Sequence, residues 1–198
     1  DHNFVTTHPS ILKKHRLNIS NCHFFFVPVD PNIECFEVYK LDPKMDLFYA
    51  MSHGVNRATL KKGKKDLRIN FLNLLTTKLK NINYDFYGFN NREPIWGNDF
   101  YQSLINSKMG LNLSRGKATK YYSSNRIASL MGNGLLTFID EKTELHDFFK
   151  KDELIFYKNV NDLVDKIKFY KKNDKLRKKI AYKGREKYFR LFSEIKTT

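Results

Sequence analysis

This sequence predicts an α/β fold, a Rossmann-like doubly wound parallel sheet. Three observations carry that reading. From Asp46 onward, strand-like apolar runs alternate with helical patterns five times. The runs are short and continuously apolar, as expected of strands covered on both faces. Residues 109–139 read as strand, polar loop, short helix, glycine turn and strand. In an open α/β sheet such a loop lies at the carboxyl end of its strand, where ligands bind.

Residues 1–27 read as a strand, a helix and a strand. Phe4 and Val5 form a short apolar piece, Pro9 suits the first helical position, and Phe24–Val27 make a continuous buried-strand run. Residues 28–43 contain three prolines and few periodic apolar positions, which predicts a linker or interdomain crossing. Leu47–Met51 is the next strand. Asp66 caps a helix whose expected apolar face is Leu67, Phe71, Leu74, Leu75 and Leu79. Tyr84–Phe89 is a strand, and Asp99 caps a helix with Tyr101, Leu104 and Ile105. Met109–Leu113 is a strand, and Ser123 or Ser124 caps a helix with Ile127, Leu130 and Met131 inward. Leu135–Ile139 follows, then a short helix capped by Thr143, and a short strand at Leu154–Tyr157. Two helices close the chain, one with Leu163, Val164, Ile167 and Tyr170, the other capped by Asp174 with Leu176, Ile180, Tyr188 and Leu191.

The 198 residues, 41% hydrophobic and 15% aromatic, suffice for a packed core. No apolar run is long enough to span a membrane. The chain opens at Asp1 and enters a strand-like segment at once, which predicts a trimmed piece of a longer protein, so an absent leader carries no weight. Cys22 and Cys35 lack metal-ligand spacing and make no disulfide framework, as expected of a reducing, cytoplasmic protein. The net charge of +15 attracts polyanions. The Lys, Asn, Ile, Phe and Tyr bias of AT-rich coding is an equally good source of that charge.

Several chemistries are excluded. No Gly-x-Gly-x-x-Gly follows the first clear strand, and Gly63-Lys64-Lys65 lacks the leading glycine and the hydroxyl of a phosphate-binding P-loop. No Gly-x-Ser-x-Gly elbow is present. The six histidines are scattered, so no metal site is expected.

Two loops invite an anion. After the first strand of the regular half come Ser52, His53 and Gly54, then Arg57. Gly54 would let backbone approach a ligand, and His53 would reach a phosphate or sugar hydroxyl; a solvated turn histidine is the competing reading. After the third strand come Ser114, Arg115, Lys117, Lys120, Ser123, Ser124, Asn125 and Arg126. A helix start offers free N–H groups and a positive dipole end. Arg126 in that first turn conflicts with the dipole unless an anion is bound, or unless an acid such as Asp140 pairs with it. Gly132 and Gly134 read as the cap and turn that end this helix.

The motifs Leu47-Phe-Tyr-Ala-Met-Ser-His-Gly54 with Arg57, Tyr87-Gly88, and Asn125-Arg126-Ile-Ala-Ser-Leu-Met-Gly-Asn-Gly134 resemble the carboxyl-terminal, donor-binding half of group 1 GT-B glycosyltransferases, including spore-protein-type glycosyltransferase-like domains. The tail Leu154–Tyr157, Asp162-Leu-Val and Arg177–Arg185 is similar to that family's closing helices. The resemblance implies residues 1–43 as the end of the acceptor half plus the interdomain crossing, and residues 44–198 as the donor-binding domain. It implies transfer of a sugar from a nucleotide-diphosphate sugar to an acceptor hydroxyl in surface glycan or glycoconjugate synthesis, with no cofactor and no catalytic metal. Implied donor-binding residues are Ser52, His53, Gly54, Arg57, Arg115, Ser123, Ser124, Asn125, Arg126 and Ser129, with Tyr87 and Gly88 holding the base. Implied partners are the nucleotide sugar and a glycan, lipid or protein acceptor; nucleic acid is not among them. The basic surface, by its charge, predicts peripheral contact with an anionic membrane from the cytoplasmic side. Many retaining members carry two glutamates eight positions apart. The matching positions here are Tyr121 and Ser129, so the stereochemistry stays open and no catalytic residue is assigned. A non-catalytic basic Rossmann-like module that binds nucleic acid or another polyanion is the competing function.

Overall fold

A computed structural model describes residues 2–15, 18–52 and 66–193. Two parallel sheets are formed. The first pairs β1 (Asn3–Val5) with β2 (Cys22–Phe24), with Asn3 opposite Cys22. Pro9–His15 winds between them as a 3-10 helix, with Pro9 leading it. The second sheet has five strands: β3 (Met45–Ala50), β4 (Tyr84–Tyr87), β5 (Ser107–Asn112), β6 (Leu136–Asp140) and β7 (Ile155–Tyr157). Their order is β4-β3-β5-β6-β7, parallel throughout. The chain steps outward from β3 to β4, then returns past β3 to β5. That reversal opens a crevice at the carboxyl edge, between the loops that follow β3 and β5.

The helices are α1 (Leu67–Lys78), α2 (Gly97–Ile105), α3 (Arg126–Gly132), α4 (Val160–Lys172) and α5 (Asp174–Phe192). Alternation along β3 divides the core. Leu47, Tyr49 and Met51 pack with Leu72 and Leu75 of α1 and Ile167 of α4. Phe48 and Ala50 pack with Leu104 of α2 and Leu130 of α3.

Some expectations are corrected. The buried side of α1 is Arg68, Leu72, Leu75 and Leu79, while Leu67 and Leu74 are 52% and 48% exposed. Asp66 accepts from the Arg68 amide and guanidinium, which turns position 68 inward and sets the face at 68, 72, 75 and 79. α2 starts one turn earlier than expected: Trp96 is its N-cap without a side-chain bond, and Asp99 sits in the first turn, where it still meets the positive dipole end. Asn173, not Asp174, occupies the cap of α5. Asp174 instead accepts from the buried Arg177 side chain, whose Nη1 also donates to the Lys108 carbonyl. The segment around Thr143 is two 3-10 turns, Glu141–Thr143 and Leu145–Asp147, and Asp140 caps the first. Phe26 and Val27 are buried, but not in a strand. They pack against Ile127, Met131, Phe149 and Tyr188, and the Tyr188 hydroxyl donates to the Val27 carbonyl at 2.8 Å.

The proline-rich segment 28–43 is fastened along the second sheet's helices. Val29 N–H donates to the Phe192 carbonyl at 2.9 Å, and Val38 N–H to the Asn133 carbonyl at 2.8 Å. This fastening explains Gly132. A Cβ there would lie 2.7 Å from both Glu34 Cβ and Val29 Cγ2. Helix propensity favours alanine over glycine by ~1 kcal/mol, but overpacking costs ~1–3 kcal/mol. We therefore expect Gly132→Ala to lower the urea midpoint; a raised midpoint would show that the segment over α3 yields freely.

Candidate functional site

The crevice is built around Arg126, the first residue of α3. Its guanidinium lies over the Tyr49 ring, 4.8 Å from the centroid. Nη1 donates to the Ser124 hydroxyl at 3.2 Å and, at 3.5 Å, to the Leu113 carbonyl and Asn112 Oδ1. Among the described residues no carboxylate lies within ion-pair distance of it, Asp140 included; Asp140 caps its own turn instead. Burial pulls the Arg126 pKa below the usual arginine value, and the neighbouring Arg68 cation adds to the pull.

The other charges divide one carboxylate. Arg68 grips Asp66 through Nε and Nη2, the latter at 2.6 Å, and Arg115 Nε approaches the same carboxylate at 3.9 Å. Burial alone would raise the Asp66 carboxyl, but Arg68 and its amide, with Arg115 beside them, hold it below the ordinary aspartate value. Two guanidiniums thus share one carboxylate at the crevice, and the third, Arg126, lies beside them with none in reach among the described residues. Next to it a cleft of ≈ 440 Å³ is lined by Arg68, Phe71, Leu113, Lys117, Asp140 and Lys142 among others.

Ser123 and Ser124 do not cap α3. Asn125 holds the N-cap position, exposed and without a side-chain cap bond. The serines join a network with Asn112, which is 2% exposed at the end of β5. Asn112 Nδ2 donates to Ser123 Oγ at 2.5 Å, Ser124 Oγ donates to Asn112 Oδ1 at 2.7 Å, and the Ser124 amide donates to Ser114 Oγ at 3.1 Å. Their hydroxyls hold the loop beside Arg126, which is why they are not free to cap.

The remaining expected residues are dispersed. Ser52 is exposed just past β3, and His53, Gly54 and Arg57 lie outside the described residues. Tyr87 is committed to neighbours: its hydroxyl meets Asp85 and Ser103, and the Arg92 guanidinium covers its ring at 3.8 Å. Gly88 has φ +71° and backs onto the Met51 carbonyl, which leaves no room for a side chain. Ser129 lies on α3, and its carbonyl takes the Asn133 amide and side chain. Tyr121 is left-handed, with φ 59°. It packs against His8, Phe24 and Phe148 and donates to Asp147 at 2.6 Å. Tyr49, Asp66, Arg68 and Asn112 were missed as site residues. Asn112 had a signal, a polar residue ending a buried strand; Asp66-x-Arg68 had one too, an acid and a base on the first turn of a helix facing a ligand edge.

The glycosyl transferase-like family model (Glyco_trans_1_2) matches residues 62–193, a span that holds the Arg126 network and the sheet edge behind it. The chain belongs to the glycosyl transferase-like family. Among solved structures, this glycosyl transferase-like chain is similar to Anabaena HepE in complex with UDP-glucose, with TM-score 0.66, 9% identity, and 98% of this chain and 60% of that chain covered. S. aureus TarM gives TM-score 0.60 and 16% identity over 97% of this chain and 41% of that chain. Sucrose-phosphate synthase from Thermosynechococcus elongatus gives 0.60 and 11% over 96% and 54%. At these identities the likeness carries the fold, that of GT-B glycosyltransferases. The chain spans about half the length of the structures it matches. No curated protein matches the sequence.

Two outcomes are expected. Asp66→Asn costs ~1–2 kcal/mol at neutral pH, by giving up the charge-assisted bonds to the Arg68 guanidinium while asparagine still caps the helix. The folded pKa of Asp66 is depressed, so its contribution is complete above the unfolded value of about 3.9 and fades as pH falls through the lower folded value. Urea unfolding of both proteins should show the gap closing below about pH 4. Arg126→Met should leave the urea midpoint unchanged or higher, because a partly buried cation with no carboxylate partner among the described residues gives up its desolvation cost when replaced by an apolar chain. A large fall in midpoint would make Arg126 a structural residue.

Proposed function

We propose that this domain holds a nucleotide-diphosphate sugar in the crevice, with the diphosphate against Arg126, and that the protein carrying it transfers the sugar to an acceptor hydroxyl. The observation that supports this most is the Arg126 cation, set beside Tyr49 with no carboxylate in reach among the described residues. A site that keeps a desolvated positive charge unpaired is preorganised for an anion. Arg115 and Arg68 add charge, and Asn112, Ser123 and Ser124 hold the loop beside it. Family membership supports the reaction class. HepE is described in complex with UDP-glucose, and a TarM mutant in complex with Fondaparinux, alpha-GlcNAc-glycerol and UDP.

In the reaction, the bond from the anomeric carbon to the β-phosphate oxygen breaks while a bond to the acceptor oxygen forms. The acceptor proton leaves to a base, and the electron pair of the breaking bond stays on the nucleoside diphosphate. Arg126 and Arg115 would stabilise that growing charge, so this reading assigns the leaving-group role to guanidiniums and needs no cofactor. Residues 1–43 would be the end of the acceptor half and the crossing, and residues 44–198 the donor domain. The acceptor we propose is a growing surface glycan or glycoconjugate.

Uridine diphosphate and guanosine diphosphate should be tested by thermal shift and calorimetry on the full-length protein. One of them is expected to raise the melting temperature. Arg126→Ala should weaken its binding about tenfold or more, the loss of a charged hydrogen-bonding partner, with circular dichroism unchanged. Equal binding by the wild type and the variant would remove Arg126 from the donor site.

A further inference from the structure

A second cationic feature lies at the opposite, amino edge of the sheet. The turn before β4 and the end of α4 enclose a groove of ≈ 390 Å³ lined by Lys80, Asn81, Ile82, Lys168, Lys171 and Lys172. Lys171 is fixed in place, its Nζ 2.6 Å from both Asp46 Oδ2 and the Asn81 carbonyl. Asp46 is 2% exposed and also faces Lys108 at 3.6 Å. Lys80, Lys168 and Lys172 are exposed, and among the described residues no carboxylate lies within ion-pair distance of them. Asp165, one turn back on α4, is exposed and makes no ion pair with them. The corner between α4 and α5 also presents apolar side chains to solvent: Phe169 is 50% exposed and Leu176 40%. Exposed Lys172, Lys175 and Lys179 flank them in sequence.

We propose that this edge docks on an anionic phospholipid bilayer. The lysines of the groove meet lipid phosphates, and Phe169 and Leu176 enter the headgroup layer. Charge complementarity selects this occupant, because lysines with no acidic partner beside exposed apolar side chains are what an anionic interface recruits. A soluble polyanion would use the lysines and leave Phe169 and Leu176 in water. The crevice at Arg126 lies at the other edge, about 20 Å away along six-residue strands, so membrane and donor can be held together. The proposal does not rest on the donor reading.

The test is co-sedimentation with vesicles of phosphatidylglycerol in phosphatidylcholine, against phosphatidylcholine alone. The protein should bind only the anionic vesicles, and less at high salt. Lys168→Glu with Lys172→Glu should weaken partitioning about twentyfold or more, since each lysine near such a surface contributes roughly fivefold. Lys151→Glu with Lys158→Glu, an equal charge change elsewhere, should stay within about threefold. Phe169→Ser with Leu176→Ser should lose the salt-resistant part of the binding. Equal losses in both lysine pairs would reduce the effect to net charge and overturn the proposal. So would indifference to vesicles by a protein that takes inorganic phosphate or an oligonucleotide through the same lysines. Uridine diphosphate binding by each variant reports the crevice separately, so either reading can fail without the other.

Discussion

The seat of α3 is the constraint on which the site depends. This seven-residue helix lies between the sheet and the crossing segment, and small residues let it settle there. Gly110 of β5 backs directly onto Leu130, and Gly132 admits Val29 and Glu34. The Val38 amide and the Asn133 carbonyl then lock the far end. With its carboxyl end held, the first residue of α3 can fall only at the sheet's rim, over Tyr49. A surface helix with the same motif would point its arginine at water. Here packing at one end drives a cation into low dielectric at the other.

Charge is treated alike at both edges of the sheet. A nearly buried aspartate serves two cations, Asp66 with Arg68 and Arg115 at the carboxyl edge, Asp46 with Lys171 and Lys108 at the amino edge. Each carboxylate neutralises less than the positive charge gathered around it, so each edge keeps a surplus. The surpluses differ in kind. At the carboxyl edge it sits on a partly buried, planar guanidinium held by neutral acceptors, suited to directed bonds with phosphate oxygens. At the amino edge it sits on exposed lysines with mobile stems, suited to a diffuse anionic surface. The overall charge of +15 alone says nothing about this division.

The parallel sheet and its two covered faces were legible because β3 to β7 are short apolar runs with no other way to be satisfied; the order of the strands was not. The Asn125–Gly134 motif was legible because its glycines and apolar positions answer to one packing arrangement. What failed to read was decided by contacts distant in sequence or by competing local bonds. The face of α1 turned on Asp66 seizing Arg68, and leucines on several sides hid that choice. The expected serine caps were lost to Asn112, a partner more than ten residues away. Phe26 and Val27 are buried as an apolar run should be, but the wall they meet is Tyr188 and Phe192 from the far end of the chain.

Tyr121 shows how such a displacement bears on chemistry. The resemblance aligns it with an acidic position, and the substitution is more than the loss of a carboxylate. Its left-handed backbone and its hydroxyl bond to Asp147 fix the ring among His8, Phe24 and Phe148. The neighbouring Lys120 carbonyl accepts from the His8 amide and the Thr7 hydroxyl. The loop that carries the crevice's polar network is therefore pinned to the β1–β2 unit at its middle and to β5 at its end. A loop held at two points, with Arg126 beyond the second, keeps its cation in place before a ligand arrives, and in that state binding costs the least ordering entropy.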